Sequence, residues 1–183
     1  MMEPSRRDWI FGSLGSVVLA SIAAAQEHAH QAVLKPNAVE FEFFDPHSAA
    51  EIAAITAQIL PSEHGPGATE AGVIYFIDRA LKTFDADKQE VYRNGLLEIE
   101  NVRKKMFPSA EGIAALSNEQ QIELIRSIEK SEFFEVVRVH TVLGFLGNPS
   151  YGGNRGKVGW KYIGFEDRMA FEPPFGYYDA EAK

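Results

Sequence analysis

Asp45-Pro46-His47-Ser48-Ala49-Ala50-Glu51-Ile52-Ala53-Ala54-Ile55-Thr56-Ala57-Gln58-Ile59-Leu60-Pro61 carries a start, a stripe and a stop for one helix. Asp45 can accept the unpaired N–H groups of a first turn. Pro46 suits the first helical position, where its missing N–H costs nothing. Ile52, Ile55 and Ile59 share one face, and Pro61 ends the run because it can neither donate to the ladder nor clear the preceding turn. Helical periodicity of this kind recurs along the chain and sets the fold class.

Downstream, Ser62 to Ala68 is a Gly/Pro turn. Thr69 is expected to open a second helix with Val73, Ile77, Ala80, Leu81 and Phe84 on its apolar side. A third helix is expected from Asp87 to Met106, with Val91, Ile99, Val102 and Met106 on one stripe, although Gly95 weakens it. Phe107-Pro108 breaks the chain. Ser117 and Gln120 form a capping box for a helix carrying Ile122, Ile125 and Ile128. The last helix begins near Ser131, with Phe133, Val136, Val137, His140 and Leu143 on its core side, and fails at Gly144 or Gly147. Upstream, Val39, Phe41 and Phe43 alternate with Glu40 and Glu42, as a short strand or extended segment would. The expected fold is mainly α: a compact bundle of about five helices, with a short extended N-terminal segment and an irregular C-terminal region rich in aromatics and glycine.

Residues 1–25 read as a signal peptide. Arg6-Arg7 precedes a moderately apolar stretch that ends in Ala23-Ala24-Ala25, a small-x-small cleavage site, so the mature chain is expected to begin at Gln26. Gly12, Ser13, Gly15, Ser16 and Ser21 interrupt the stretch too often for a comfortable membrane anchor. Ser5-Arg6-Arg7-Asp8-Trp9-Ile10 resembles the twin-arginine motif S-R-R-x-F-L-K, departing from it at Trp9, at Ile10 and in the missing Lys. That resemblance implies export of a folded protein to the periplasm. Residues 26–37 read as a flexible lead-in and 38–183 as one helical domain.

Of 183 residues, 45% are apolar and 24% charged, an ordinary globular balance in one domain. The net charge of −8 disfavours nucleic acid and anionic lipid as main partners. The absence of cysteine rules out disulfides, thiolate metal sites and covalent haem attachment. The glycines from Gly152 to Gly159 fail as a nucleotide loop: Tyr151 stands where a P-loop needs its first glycine, and Val158 where Ser or Thr should follow Gly156-Lys157. No two of His28, His30, His47, His64 and His140 have the helical spacing of a metal site. His140, on an apolar face, reads as a satisfied, partly buried histidine. His28 near a new N-terminus could chelate Cu(II), but an N-terminal Gln that cyclises removes the amine. Carboxylate pairs such as Glu98/Glu100 and Glu119/Glu123 read as solvated surface. No catalytic, cofactor-binding or metal-binding residue is therefore expected in this chain.

From Asn148 the character changes. Asn148-Pro149-Ser150-Tyr151-Gly152-Gly153-Asn154 is turn chemistry, and Trp160, Tyr162, Phe165, Phe171, Phe175, Tyr177 and Tyr178 follow. A segment this aromatic and irregular cannot build its own core. Residues 148–183 are expected either to wrap over the helices or to lie against another protein.

The landmarks taken together resemble the gluconate 2-dehydrogenase subunit 3 family. They are Ile59-Leu60-Pro61-Ser62-Glu63, Pro66-Gly67-Ala68, Glu70-Ala71-Gly72-Val73 and Phe76-Ile77-Asp78, then His140-Thr141, Gly144-Phe145, Asn148-Pro149-x-Tyr151-Gly152-Gly153-Asn154 and Gly159-Trp160-x-x-Ile163-Gly164-Phe165. The resemblance spans roughly residues 41–166. It implies a non-catalytic small subunit of a periplasmic, membrane-associated dehydrogenase for sugars, sugar acids or polyols. The large subunit would be a flavoprotein of the glucose–methanol–choline type that binds FAD, and a cytochrome with haem c could be a third component. The small subunit would support folding, export and assembly of the flavoprotein. Tyr151, Gly152, Gly153, Asn154, Trp160, Tyr162 and Phe165 are the residues expected to dock that partner. Two rivals remain: a free-standing periplasmic binding module or chaperone, which calls for a ligand-sized apolar pocket, and an enzyme in its own right, which calls for converging polar groups in a cleft.

Overall fold

Residues 40–170 are described by the computed structural model. Among them lie six α-helices and no strand: α1 (Pro46–Ile59), α2 (Val73–Lys82), α3 (Gln89–Met106), α4 (Asn118–Ser127), α5 (Glu132–Leu146) and α6 (Val158–Tyr162). Arg6, Arg7, Ala23 and Ala25, the lead-in 26–37, Val39 and the aromatics from Phe171 onward lie outside the described residues.

Local chemistry starts α1 and α4 where the sequence indicates. Asp45 accepts the N–H groups of His47 and Ser48, and Ser117 and Gln120 complete their capping box. The core runs between the helices through Ile52 and Ile55 of α1, Val73, Ile77 and Leu81 of α2, Tyr92 and Ile99 of α3, Leu124 of α4, and Phe133 and Val137 of α5. Burying each large aliphatic contributes about 1.5–3 kcal/mol. α2 packs chiefly on α5, and both also meet α1.

Several boundaries differ from the expectation for physical reasons. Thr69 does not open α2. The Glu70 carboxylate instead accepts from the Ser62 hydroxyl (2.6 Å) and the Gly67 N–H (2.8 Å), which stitches residues 62–70 into a turn. Gly72 then takes a left-handed φ of 65°, and the helix begins at Val73. A 3₁₀ turn, Ala86–Lys88, occupies the expected start of the third helix. Gly95 does not interrupt α3: the Phe133 ring lies where a Cβ would project, so a small residue lets α5 approach. The centre of the α3 stripe is Tyr92, Ile99 and Arg103, with Val91, Val102 and Met106 only partly buried at its sides. α5 continues through Gly144 and ends at Leu146.

Residues 41–44 form no strand. The N–H groups of Glu42, Phe43 and Phe44 all point at the Asp78 carboxylate, at 2.8, 3.0 and 2.9 Å. Three donors on one buried acceptor group bend the chain and remove the pairing a strand would need. The rings follow suit: Phe41 stacks on Tyr75, Phe43 sits beneath the Arg93 guanidinium, and Phe44 packs on Tyr92. Between α3 and α4, Arg103 is almost wholly buried. It pairs with Glu100 and donates to the carbonyls of Phe107 and Ala110, while the N–H of Ile113 donates to Glu51 (2.7 Å).

Candidate docking surface

The segment from Asn148 to Phe165 has an inner and an outer layer. Asn148 starts it by accepting the Ser150 N–H, which caps the 3₁₀ turn Pro149–Tyr151. Gly152, at φ 103°, passes over the backbone of α2, where a Cβ would stand 3.0 Å from the Tyr75 carbonyl. Gly153 lies against α5 so closely that a Cβ would stand 2.2 Å from the Gly144 carbonyl oxygen. Asn154 is fully buried. Its N–H donates to Gly144 (2.7 Å), its Nδ2 to Gly147 (3.0 Å), and its Oδ1 accepts from Gly159 (2.9 Å). One side chain thus joins the end of α5 to the start of α6. It does so from a left-handed φ of 44°, a region Asn tolerates better than most residues.

Arg155 completes this seat. Its N–H donates to the Ala71 carbonyl (3.0 Å), its side chain fills the space beside Gly72, and its guanidinium lies 3.4 Å from the centre of the Tyr75 ring. Burial pulls the Arg155 pKa below the ordinary arginine value, against the pull of Tyr75 in the other direction. Arg79 pins the far side by donating to the Ser150 carbonyl (2.8 Å).

The outer layer is aromatic. Tyr151, Tyr162, Ile163 and Phe165 are about half exposed. Tyr162 rests against the backbone at Gly65, and the Phe165 ring packs on Trp160 at 5.0 Å. Trp160 belongs to both layers: its Nε1–H donates to the Leu146 carbonyl (2.6 Å) while its ring stays half-buried.

The seven residues singled out from sequence therefore divide. Gly152, Gly153 and Asn154 face the chain's own helices; Tyr151, Tyr162 and Phe165 present rings to solvent; Trp160 does both. The segment wraps and displays at once. Sequence periodicity missed two exposed apolar residues outside this segment. Phe84, expected on the buried side of a helix, lies beyond the end of α2, 54% exposed and edge-on to Tyr151 with ring centres 5.8 Å apart. Leu143, expected in the core, is 46% exposed beside Val139 and Val142 on the outer face of α5. α5 has no Lys, Arg, Asp or Glu after Arg138, so its apolar pattern runs all round and its sequence could not tell the inner from the outer face.

His140 is buried and satisfied, as expected. Its Nδ1 meets the Tyr92 hydroxyl (2.9 Å) and its Nε2 the Asp85 carboxylate (3.2 Å). Desolvation lowers its pKa and pushes that of Tyr92 well up, so a neutral imidazole donates from Nε2 and accepts at Nδ1 from a neutral phenol. An open groove of about 390 Å³ between α1 and α3 has Leu96, Leu97 and Ile99 on its wall and Glu51, Arg93 and Glu100 around them. Among the described residues no three His, Asp or Glu side chains are gathered as metal ligands, and no helix is long and apolar enough to cross a membrane.

Residues 46–167 match the family model of gluconate 2-dehydrogenase subunit 3, and the chain belongs to that family. No curated protein matches it. No solved structure matches it either.

Proposed function

We propose that this member of the gluconate 2-dehydrogenase subunit 3 family is a non-catalytic small subunit that docks a large FAD-dependent dehydrogenase subunit of the glucose–methanol–choline type. One observation carries the reading. The loop after α5 spends its polar groups on its own helices, yet holds Tyr151, Tyr162, Phe165 and the edge of Trp160 outward. Large aromatic rings on a rigid frame are what interface hot spots are made of. Flavin, and haem c in any third subunit, would then belong to the partners, and sugars, sugar acids or polyols would be the substrates.

Export and assembly follow from the same reading. The leader with Arg6-Arg7 would carry the small subunit, and with it the folded flavoprotein, to the periplasm. A tagged chain purified from its native envelope is expected to bring down a stoichiometric flavin band and dye-reducing activity with an aldose, aldonate or polyol. A chain that elutes alone, without flavin, overturns the proposal. Lys at both Arg6 and Arg7 is expected to trap precursor and flavoprotein in the cytoplasm. Undiminished periplasmic protein after that change removes the twin-arginine part. The groove between α1 and α3 is the feature a free-standing binding module would use, and such a module would purify as a monomer that takes up an apolar ligand.

A further inference from the structure

The loop that follows α2 carries Phe84 and Asp85 side by side, and the two point into different environments. Phe84 lies outside, edge-on to Tyr151 and 6.1 Å from Phe76. Asp85 turns inward to His140, and its N–H closes α2 on the Ala80 carbonyl (2.9 Å). Behind His140 stands Tyr92, wholly buried, with its ring stacked on the imidazole at 5.7 Å. Phe76 covers the imidazole edge-on at 6.2 Å. A line of hydrogen bonds thus runs from the core, Tyr92 to His140 to Asp85, and ends one residue from an exposed aromatic of the docking surface.

That line suits only one protonation state. The Tyr92 hydroxyl needs the Nδ1 lone pair as its acceptor, and the Asp85 carboxylate needs the Nε2 proton. A second proton on Nδ1 makes that nitrogen a donor. The phenol must then accept, and its own hydrogen loses its partner in a fully buried place, which is costly. The groups facing His140 are Asp85, Asp87 and Lys88 from the loop and 3₁₀ turn, and Tyr92 from α3; Glu132, at the start of α5, acts on Lys88. The two aspartates favour an imidazolium and Lys88 opposes it, but burial is the largest influence and keeps the ring neutral. A protonated ring can reach water most directly at Asp85, whose side chain is 30% exposed, and moving Asp85 moves Phe84.

We propose that Asp85 and His140 are positioning residues for the Phe84–Tyr151 pair, and that acidification loosens this clasp and weakens docking of the large subunit. The inference rests on the reading that Tyr151 faces the flavoprotein. It makes that interface tight at neutral pH and weaker in acid.

The test is a titration of the full chain with its flavoprotein subunit across pH 8 to 5, together with side-chain NMR of the chain alone. Affinity is expected to fall in acid with the slope of one proton, at most about tenfold per pH unit. The Tyr151 ring signals are expected to shift with the same midpoint as the His140 imidazole, while the helical circular dichroism persists. Asp85→Asn still offers an acceptor to Nε2–H but no longer favours the imidazolium, so both midpoints should move to lower pH. A merely structural aspartate would move only the His140 midpoint, through the lost charge, and would leave that of the Tyr151 signals in place. Affinity that is flat from pH 8 to 5, or a Tyr151 midpoint unmoved by Asp85→Asn, overturns the clasp while leaving the docking reading standing. No binding at any pH overturns both.

Discussion

The Asp78 carboxylate on α2 accepts the backbone N–H of Phe44, 34 residues earlier, at 2.9 Å. With the N–H groups of Glu42 and Phe43 on the same carboxylate, this contact fixes the chain just before α1 and seats Phe44 in the core. Asp78→Ala strands three donors around a buried site. It is expected to cost about 3 kcal/mol or more in denaturant unfolding, since hydrogen bonds to charged groups are worth roughly 1.5–3 kcal/mol each. Asp78→Asn keeps one acceptor oxygen and should cost less. Equal stability of Asp78→Ala and wild type would show that the anchor is dispensable.

The loop is tightest where Gly153 and Gly159 meet the end of α5. Gly153→Ala places a methyl 2.2 Å from a backbone carbonyl, and Gly159→Ala places one 2.0 Å from the Phe145 carbonyl. Neither carbonyl can swing away without disturbing α5, so each variant should lose about 2 kcal/mol or more. At Gly164 a methyl meets nothing within 4 Å, so Gly164→Ala pays only for its φ of 72°, about 1 kcal/mol. Melting curves of the three variants check the ranking. Gly164→Ala proving the worst of them would contradict the described seat.

Trp160 and Phe165 separate folding from docking. Trp160→Ala removes the bond to Leu146 and a half-buried ring, so about 2 kcal/mol of stability should go together with binding. Phe165 is half exposed and its ring meets Trp160, so Phe165→Ser should stay within about 1 kcal/mol of wild type in stability. It should nonetheless lose about 2 kcal/mol in affinity for the flavoprotein, roughly 30-fold in Kd. Normal affinity in a folded Phe165→Ser chain would remove that ring from the interface.

Stability should fall in acid through His140. Its folded pKa lies below the unfolded value of about 6.5. The unfolded chain therefore takes up the proton first. The stabilisation is complete above about pH 6.5 and declines as the pH drops from there toward the folded pKa. Asp45 and Glu70, both shifted down by the groups they cap, add their loss only at lower pH, as it falls through the carboxylate range. Urea midpoints at pH 7.5, 6 and 5 measure the first step. A midpoint that does not move between pH 7.5 and 5 would contradict it.

The legible parts of this fold are those whose causes lie within about four residues. Asp45-Pro46 and Ser117/Gln120 announce their helices because a cap and its donors are neighbours. The helical class follows from Ile52, Ile55 and Ile59 and their counterparts. What stays illegible is what a remote partner decides. Thr69 looks like a helix opener until Glu70 is seen on Ser62 and Gly67, and Gly95 looks like a weakness until Phe133 arrives from α5. Phe41 and Phe43 alternate like a strand, but Asp78 takes their segment's donors. In the segment after α5, aromatic content and glycine spacing marked out a stretch that lies partly on the chain's own helices and partly in solvent. Which residues face in was set by the carbonyls of Ala71, Gly144 and Gly147, which no local pattern encodes.

The seat of Asn154 and Arg155 also orders events in time. Their N–H groups bond to Gly144 and to Ala71, so the loop can close only over α2 and α5 that have already met. The Ala71 contact spans more than eighty residues of chain, the kind of closure that comes late because its entropy is repaid only by contacts already made. A half-folded molecule therefore lacks the rigid frame on which Tyr151, Trp160 and Phe165 stand. That outer face is therefore expected to be among the last parts of the chain to order, and its presence implies that α2 and α5 are already packed beneath it.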